Sequence, residues 1–337
     1  MCIRDRDYNV GKSTYLDVYF IGIINTFLVA ILGIVGATFL GFSIGIMRLS
    51  QNFIIRSFAT VYIELLRNLP LLLQLFFWYF AVLRALPSKR DKIEIIPDII
   101  SVNITGLYLP APIVQSGFIY SVIALGVAIA VTLITKRWAE KRQLATGQRF
   151  PVFWSAVGIL IVIPLTVFAL SGMPLEWSLP EFKTDGPMLR RGFQSGFGMV
   201  LVPEMLAVWL ALTLYTAAFI AVIVRAGILA INKGQTEASY SIGLKPGLTL
   251  RLIIIPQALR VIIPPLTSQY LNLTKNSSLA VAIAYPELVS VFAGTALNQV
   301  GKEIEMIFMM MMVYLTFSVA TASFMNWFNA RVKLIER

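Results

Sequence analysis

The chain has 337 residues, of which 58% are hydrophobic and only 13% charged, with a net charge of +11 and a mean hydropathy of +0.78. So little polar surface excludes a soluble globule and points to a polytopic membrane protein. A single cysteine, Cys2, excludes an internal disulfide, and the absence of histidine removes the commonest zinc ligand and general base.

Residues 1–17 read as a polar N-terminal segment, and Met1-Cys2-Ile3-Arg4-Asp5-Arg6 as an arbitrary leader. Gly11-Lys12-Ser13-Thr14 has the closing half of a phosphate-binding loop, but Arg6 stands where that pattern needs its first glycine, so no nucleotide site is expected here. Seven apolar stretches then reach the roughly 20 residues that cross a bilayer. They lie near Val18–Met47, Phe58–Leu86, Gln115–Thr135, Pro151–Ser171, Pro203–Ile231, Ile262–Phe292 and Glu305–Phe328.

In the first stretch Ala37, Gly41 and Gly45 recur every four residues, either as a ridge for close helix approach or because glycine is common in membrane helices. Glu64 and Arg67 lie three apart ahead of Asn68-Leu69-Pro70, where a mutual ion pair beside a proline kink is expected. Between the third and fourth stretches, Lys136, Arg137, Lys141, Arg142 and Arg149 face only Glu140. That excess predicts a cytoplasmic loop, and alternation from it puts the other basic clusters inside too. Nucleic acid is therefore not the expected partner of the positive charge.

The segments Pro87–Val114 and Gly172–Val202 each balance three basic against three acidic residues and hold Pro and Gly, so they are predicted to be irregular outer loops. The N-terminus falls outside, with no apolar core for a signal peptide before it, which points to a missing upstream helix. Arg225, near the inner end of the fifth stretch, is expected to snorkel to the interface.

Glu237 to Pro256 is a short polar segment between long apolar ones. Its halves, Gln235 to Ile242 and Thr249 to Ile255, are too short to span, and Gly243 with Lys245-Pro246-Gly247 should break them into a helix-turn-helix. A cytoplasmic loop of any membrane protein can be polar and hold Gly and Pro, but here Glu237, Ala238, Gly243, Ile253 and Pro256 fall in the register that resembles the EAA loop of ABC-transporter permeases. That loop grips an ATPase. Ser239 stands for the usual Ala and Ile255 for the usual Leu. In the resemblance, small Ala238 and Ser239 let the helix lie deep in a partner groove, Gly243 takes the left-handed turn behind it, and Glu237 pairs with a basic residue.

Further on, Ser268, Asn272, Lys275 and Asn276 form a polar stripe at helical spacing inside an apolar span. A charge at that depth is costly unless paired or hydrated. The stripe reads either as part of a translocation pathway or as hydrogen-bonding contact between helices.

Tyr62-Ile-Glu-Leu-Leu-Arg-Asn-Leu-Pro-Leu-Leu-Leu-Gln-Leu75, Tyr215-Thr-Ala-Ala-Phe-Ile220, Pro256-Gln-Ala-Leu-Arg260 and Lys275-Asn-Ser-Ser-Leu279 resemble the polar amino-acid branch of ABC importer permeases. Within it, the run from Pro264 to Leu279 and the closing Phe324-Met-Asn-Trp-Phe-Asn-Ala330 are similar to the general L-amino-acid permeases of proteobacteria. One departure stands out: after Ala217-Ala-Phe-Ile220 the family pattern runs Ala-Glu, whereas this chain has Ala221-Val222.

The resemblance implies an all-α polytopic membrane protein with about seven transmembrane helices, a type I ABC importer permease fold with a two-helix insertion. The permease domain is expected over residues 18–337, the insertion over about 87–198 and the EAA-like loop over about 233–256. The implied function is translocation of L-amino acids from a periplasmic amino-acid-binding protein to the cytoplasm, in the bacterial inner membrane. The implied partners are a cytoplasmic ATPase dimer, which would carry ATP and Mg, and a second homologous permease subunit. No catalytic residue, cofactor or metal is expected in the chain itself. The competing reading is a secondary amino-acid transporter driven by an ion gradient, which would normally show inverted repeats and an ion-coordinating cluster at the midplane. The sequence displays neither. An intramembrane enzyme would need a nucleophile with a base, or a metal set, and Cys2 is the lone thiol.

Overall fold

The structure, a computed structural model, describes residues 14–148, 150–183, 192–194, 196–297 and 301–332. Cys2 and Gly11-Lys12-Ser13 lie outside the described residues. Thr14, the last of the phosphate-loop-like run, caps a helix: its hydroxyl accepts from the Asp17 N–H at 3.3 Å while the Asp17 carboxylate accepts from the Thr14 N–H at 3.0 Å. This reciprocal cap starts α1 (Tyr15–Met47) before the expected apolar stretch.

Next come α2 (Phe53–Asn68) and α3 (Leu71–Phe76), the latter running on in wider turns through Phe77–Leu83. The second predicted span is therefore broken, with a bend of 106° at Leu69-Pro70. Pro70 has no N–H to donate, and its ring blocks a helical predecessor. The freed carbonyls of Leu66 and Leu69 accept instead from the buried Gln74 amide, at 2.8 and 3.1 Å. Glu64 and Arg67 do not pair as expected. Glu64 meets Arg48 at 3.5 Å, and the Arg67 guanidinium lies over the Phe219 ring.

The segments predicted to be irregular contain strands. β1 (Ile93–Ile96), β2 (Ile100–Asn103), β3 (Gly106–Leu109) and β8 (Met199–Leu201) form one sheet in the order β1-β2-β3-β8. β4 (Ala111–Val114) pairs antiparallel with β5 (Leu175–Ser178), and β6 (Phe182–Lys183) with β7 (Gly192–Phe193). The alternating burial of Ile100-Ser-Val-Asn and Gly-Leu-Tyr-Leu109 is the period-two signal of strands. Turn-forming residues around it hid that signal.

Between these strands run α4 (Phe118–Thr146) and α5 (Val152–Leu170). Residues 136–146 of the basic stretch expected as a loop are instead the last turns of α4, because Lys, Arg, Glu, Gln, Ala and Leu are all good helix formers, and Arg149 lies outside the described residues. Gly147, at φ +72°, ends it in the left-handed conformation.

The rest is α6 (Pro203–Leu229), α7 (Lys233–Ser241), α8 (Pro246–Thr249), α9 (Ile255–Asn276) and α10 (Glu303–Val332). Wide π-type turns, Leu250–Ile254, join α8 to α9, and a 3-10 segment, Ser277–Ile283, follows. The sixth span thus starts and stops earlier than predicted, over Pro246–Ile283, and breaks at Ala284, φ +57°. Among the described residues six helices are long and apolar enough to cross a membrane, or seven if α2 and α3 count as one bent span.

The chain divides into two compact units, one of Lys89–Val102 with Leu107–Val200, the other holding the chain up to Ser88, Asn103–Gly106 and everything from Leu201 onward. In the first, α4 packs along α5 and Tyr108 stacks on Phe193 at 3.5 Å. In the second, α6 is central. It packs most extensively against α1, and also against α2, α3 and α9. The Ala37/Gly41/Gly45 ridge lies in that main seam: a Cβ on Gly41 would stand 2.6 Å from the Ile220 Cβ, and one on Gly45 would stand 2.9 Å from the Ala221 carbonyl. The backbones meet because these side chains are missing.

Candidate functional site: the α7 hairpin and the polar face of α9

The Asn232 side chain caps α7, accepting from the Gly234 N–H at 2.8 Å. Glu237 and Ala238 point outward and are exposed. Ser239 does not: it is 1% exposed, and its hydroxyl donates to the Gln235 carbonyl of its own helix. Of the two small residues read as lying in a partner groove, only Ala238 is presented outward. Gly243 ends the helix at φ +80°, its N–H donating to the Tyr240 carbonyl, while Leu244 N–H reaches Ser239. Nothing lies within 4 Å of where its Cβ would be, so the chain itself requires glycine there for backbone conformation and not for space.

The second half of the predicted helix-turn-helix does not stop at Ile255 but runs into α9. Pro256 cannot donate to the preceding turn, and the wide turns of Leu250–Ile254 accommodate it without ending the helix. Ile253 and Pro256 are half-buried at this joint. Around the hairpin, Tyr240, Ile242, Leu248, Leu250 and Leu252 are exposed, Ile242 at 75%.

On α9, Ser268, Asn272 and Lys275 are exposed along one face. Asn276 parts from them and lines a small apolar cleft with Leu71, Leu75 and Leu279. Lys275 borders a groove of about 540 Å³ that is shared with Ser278, Met310, Tyr314 and Ser318. Arg225, expected to reach outward, is half-buried with its Nε enclosed. Val222 packs beside the buried cluster of Ile44, Ala59, Ile63 and Ala221, so this position is enclosed in hydrocarbon.

One carboxylate went unread in the sequence. Glu287, 1% exposed, accepts from the Val289 and Ser290 N–H groups at 2.9 and 2.7 Å and from the Tyr314 hydroxyl at 3.0 Å. Beside it, Asn25 donates to the Pro286 carbonyl at 2.7 Å, and the Thr26 hydroxyl accepts from the Leu288 N–H at 3.1 Å. The helix break after Ile283 is thereby strapped to α1 on one side and α10 on the other. A lone acid two residues after Tyr285, inside an apolar run, was the available signal. Among the described residues no cluster of metal-ligating side chains occurs.

Residues 141–334 match the family model described as the binding-protein-dependent transport system inner membrane component. The chain is 49% identical, over 97% of its length and 79% of the relative's, to the general L-amino acid transport system permease protein AapQ of Rhizobium johnstonii. It is 49% identical to the putative amino-acid ABC transporter permease protein YhdX of Escherichia coli, over 98% of this chain and 82% of that one. It also resembles a crystal structure of an amino acid ABC transporter with histidines, at a TM-score of 0.53 and 18% identity, covering 94% of this chain and 95% of that chain. At that identity the likeness speaks for the fold.

Proposed function

We infer, since this chain belongs to the binding-protein-dependent transport system inner membrane components, that it is the permease subunit of an ATP-driven importer bringing L-amino acids from a periplasmic binding protein into the cytoplasm. It is a multi-pass protein of the bacterial inner membrane with a type I permease fold. The observation that carries the substrate class is near-half identity, over almost the whole chain, to two permeases named for amino acids.

The chain would do no bond chemistry. ATP and magnesium belong to a separate ATPase dimer, which α7 would contact through Glu237, Ala238 and the turn at Gly243, with Ile253 and Pro256 holding the root of the hairpin. Ser239 would act inside, keeping α7 seated. Exposed apolar residues beside exposed polar ones at this hairpin support a protein partner. ATP binding would close the ATPase dimer, and α7 would pass that rigid-body motion to α6 and α9, switching access from one side to the other.

Ser268, Asn272 and Lys275 would face water or a second, homologous permease subunit, because a charged face in lipid is costly. Asn276, turned into a cleft, is the weakest member of that set. The domain reading follows: a permease domain from about residue 18, an insertion at about 87–198, and a docking loop at about 233–256.

Uptake in proteoliposomes tests this. Amino-acid uptake should require the ATPase, ATP and the binding protein together. Uptake driven by an ion gradient without the ATPase would overturn the reading.

A further inference from the structure

Where α6 ends and α7 and α8 begin, the chain forms a cavity of about 400 Å³. Ile228, Ile231, Leu250 and Ile254 give it apolar walls, and the polar side chains Lys233 and Thr249 also line it. Thr249 is 2% exposed, and its hydroxyl has no hydrogen-bond partner among the described residues. A buried hydroxyl without a partner is unfavourable, so a group that accepts its proton would be held there. Lys233, exposed at the rim, makes no ion pair among the described residues.

The cavity also lies at a particular depth. The helix Pro246–Ile283 has 38 residues, about 57 Å at 1.5 Å per residue, against a hydrocarbon core of about 30 Å. It is longer than the hydrocarbon core is thick, and the exposed basic residues at its start, Lys245 and Arg251, favour the aqueous side for its first turns. Lys233, Lys245 and Arg251 collect there, the charge pattern of the cytoplasmic face, where anionic headgroups concentrate.

We propose that this cavity binds an anionic phospholipid of the inner leaflet. The phosphate pairs with the Lys233 ammonium and accepts from the Thr249 hydroxyl, and the first acyl carbons lie against the isoleucine and leucine walls. A free phosphate would leave those walls wet, and a zwitterionic lipid would set its own headgroup ammonium against the Lys233 charge, so a net-anionic headgroup is favoured. Thr236 and Tyr240 of α7 line the same cavity, so a seated lipid supports α7 from beneath.

The test uses the assembled transporter in phosphatidylcholine nanodiscs with or without phosphatidylglycerol. Native mass spectrometry should find one phosphatidylglycerol retained per copy of this chain. Lys233→Gln should weaken retention about tenfold, Lys233→Arg should restore it, and Lys136→Gln on α4 should leave it unchanged. Thr249→Val supplies a sign: it should raise the melting temperature in dodecyl maltoside, which offers no phosphate and leaves the hydroxyl unpartnered, and lower it once phosphatidylglycerol is added. Equal shifts with and without phosphatidylglycerol, or retention indifferent to Lys233→Gln, would overturn the proposal. So would inorganic phosphate reproducing the stabilisation, or phosphatidylglycerol held by the permease alone but expelled when the ATPase binds. No uptake is measured, so failure here leaves the importer reading untouched.

Discussion

α5 and α6 are both long and apolar enough to cross a membrane, yet in the structure they have opposite fates. None of the most apolar window of α5 is buried within the chain, whereas 61% of that of α6 is. Both satisfy the bilayer, since either keeps its backbone hydrogen bonds internal and its side chains apolar. What separates them is size. α6 carries Ala207, Ala211, Ala217, Ala218, Ala221 and Gly227, all buried against neighbours, while α5 is built mostly of Val, Ile, Leu, Phe and Trp with open space around Gly158. Because lipid tails are as apolar as leucine, hydropathy does not choose which helix becomes the core. Close backbone approach does.

That contrast breaks most readily at the α1–α6 seam. Gly41→Leu puts atoms where Ile220 and the Ala217 carbonyl stand, and should destabilise the permease by about 3 kcal/mol or abolish its folded peak in fluorescence-detected gel filtration. A well-folded, thermally unchanged variant would mean the seam is loose and α6 is not a true core.

A second test asks whether polar straps hold the same unit as firmly as packing does. Glu287→Ala leaves two half-buried N–H groups and the Tyr314 hydroxyl without their acceptor, for an expected loss of about 2–3 kcal/mol in thermal unfolding. Tyr314→Phe removes one bond and should cost about 1 kcal/mol. If the two variants unfold alike, the N–H contacts at the break contribute nothing.

The α7 hairpin should separate folding from assembly. Gly243→Asp must hold a side chain at φ +80°, a local strain of about 1 kcal/mol with no clash inside the chain. Membrane insertion and melting should hardly change, while co-purification of the ATPase or coupling of its hydrolysis to uptake is lost. Glu237→Lys should act in the same direction by reversing a charge at the proposed joint. Normal coupling in both would remove the docking role from Glu237–Pro256.

The smallest effect belongs to α5. A Cβ at Gly158 would meet nothing within 4 Å, and Gly158→Leu should stay within about 0.5 kcal/mol of the parent. A large loss there would show that α5 is covered by a partner, and so would blur the contrast with α6.

Much of this was legible in residues 203–297. The start of α6 at Pro203, the glycine turn at 243 and the Ser268/Asn272/Lys275 face were all readable, because proline at a helix start, glycine past a helix end and a four-residue spacing each follow from the geometry of a single helix. The break at Pro70 was read as a kink. Its size, 106°, and the Gln74 amide that takes up the carbonyls of Leu66 and Leu69 were not readable, because Gln74 lies beyond the break.

Each segment's own residues settle its local needs: hydrocarbon length, basic ends, caps and turns. It took the packed fold to show which apolar helix is enclosed, that Ser239 faces inward while Ala238 faces out, that Glu64 meets Arg48 rather than Arg67, and that Asn25 and Thr26 tie the helix break to α1 while Glu287 ties it to α10. These are outcomes of partners far apart in the chain. A residue's own chemistry states which bonds it requires, and the fold alone brings the other half of each bond within reach.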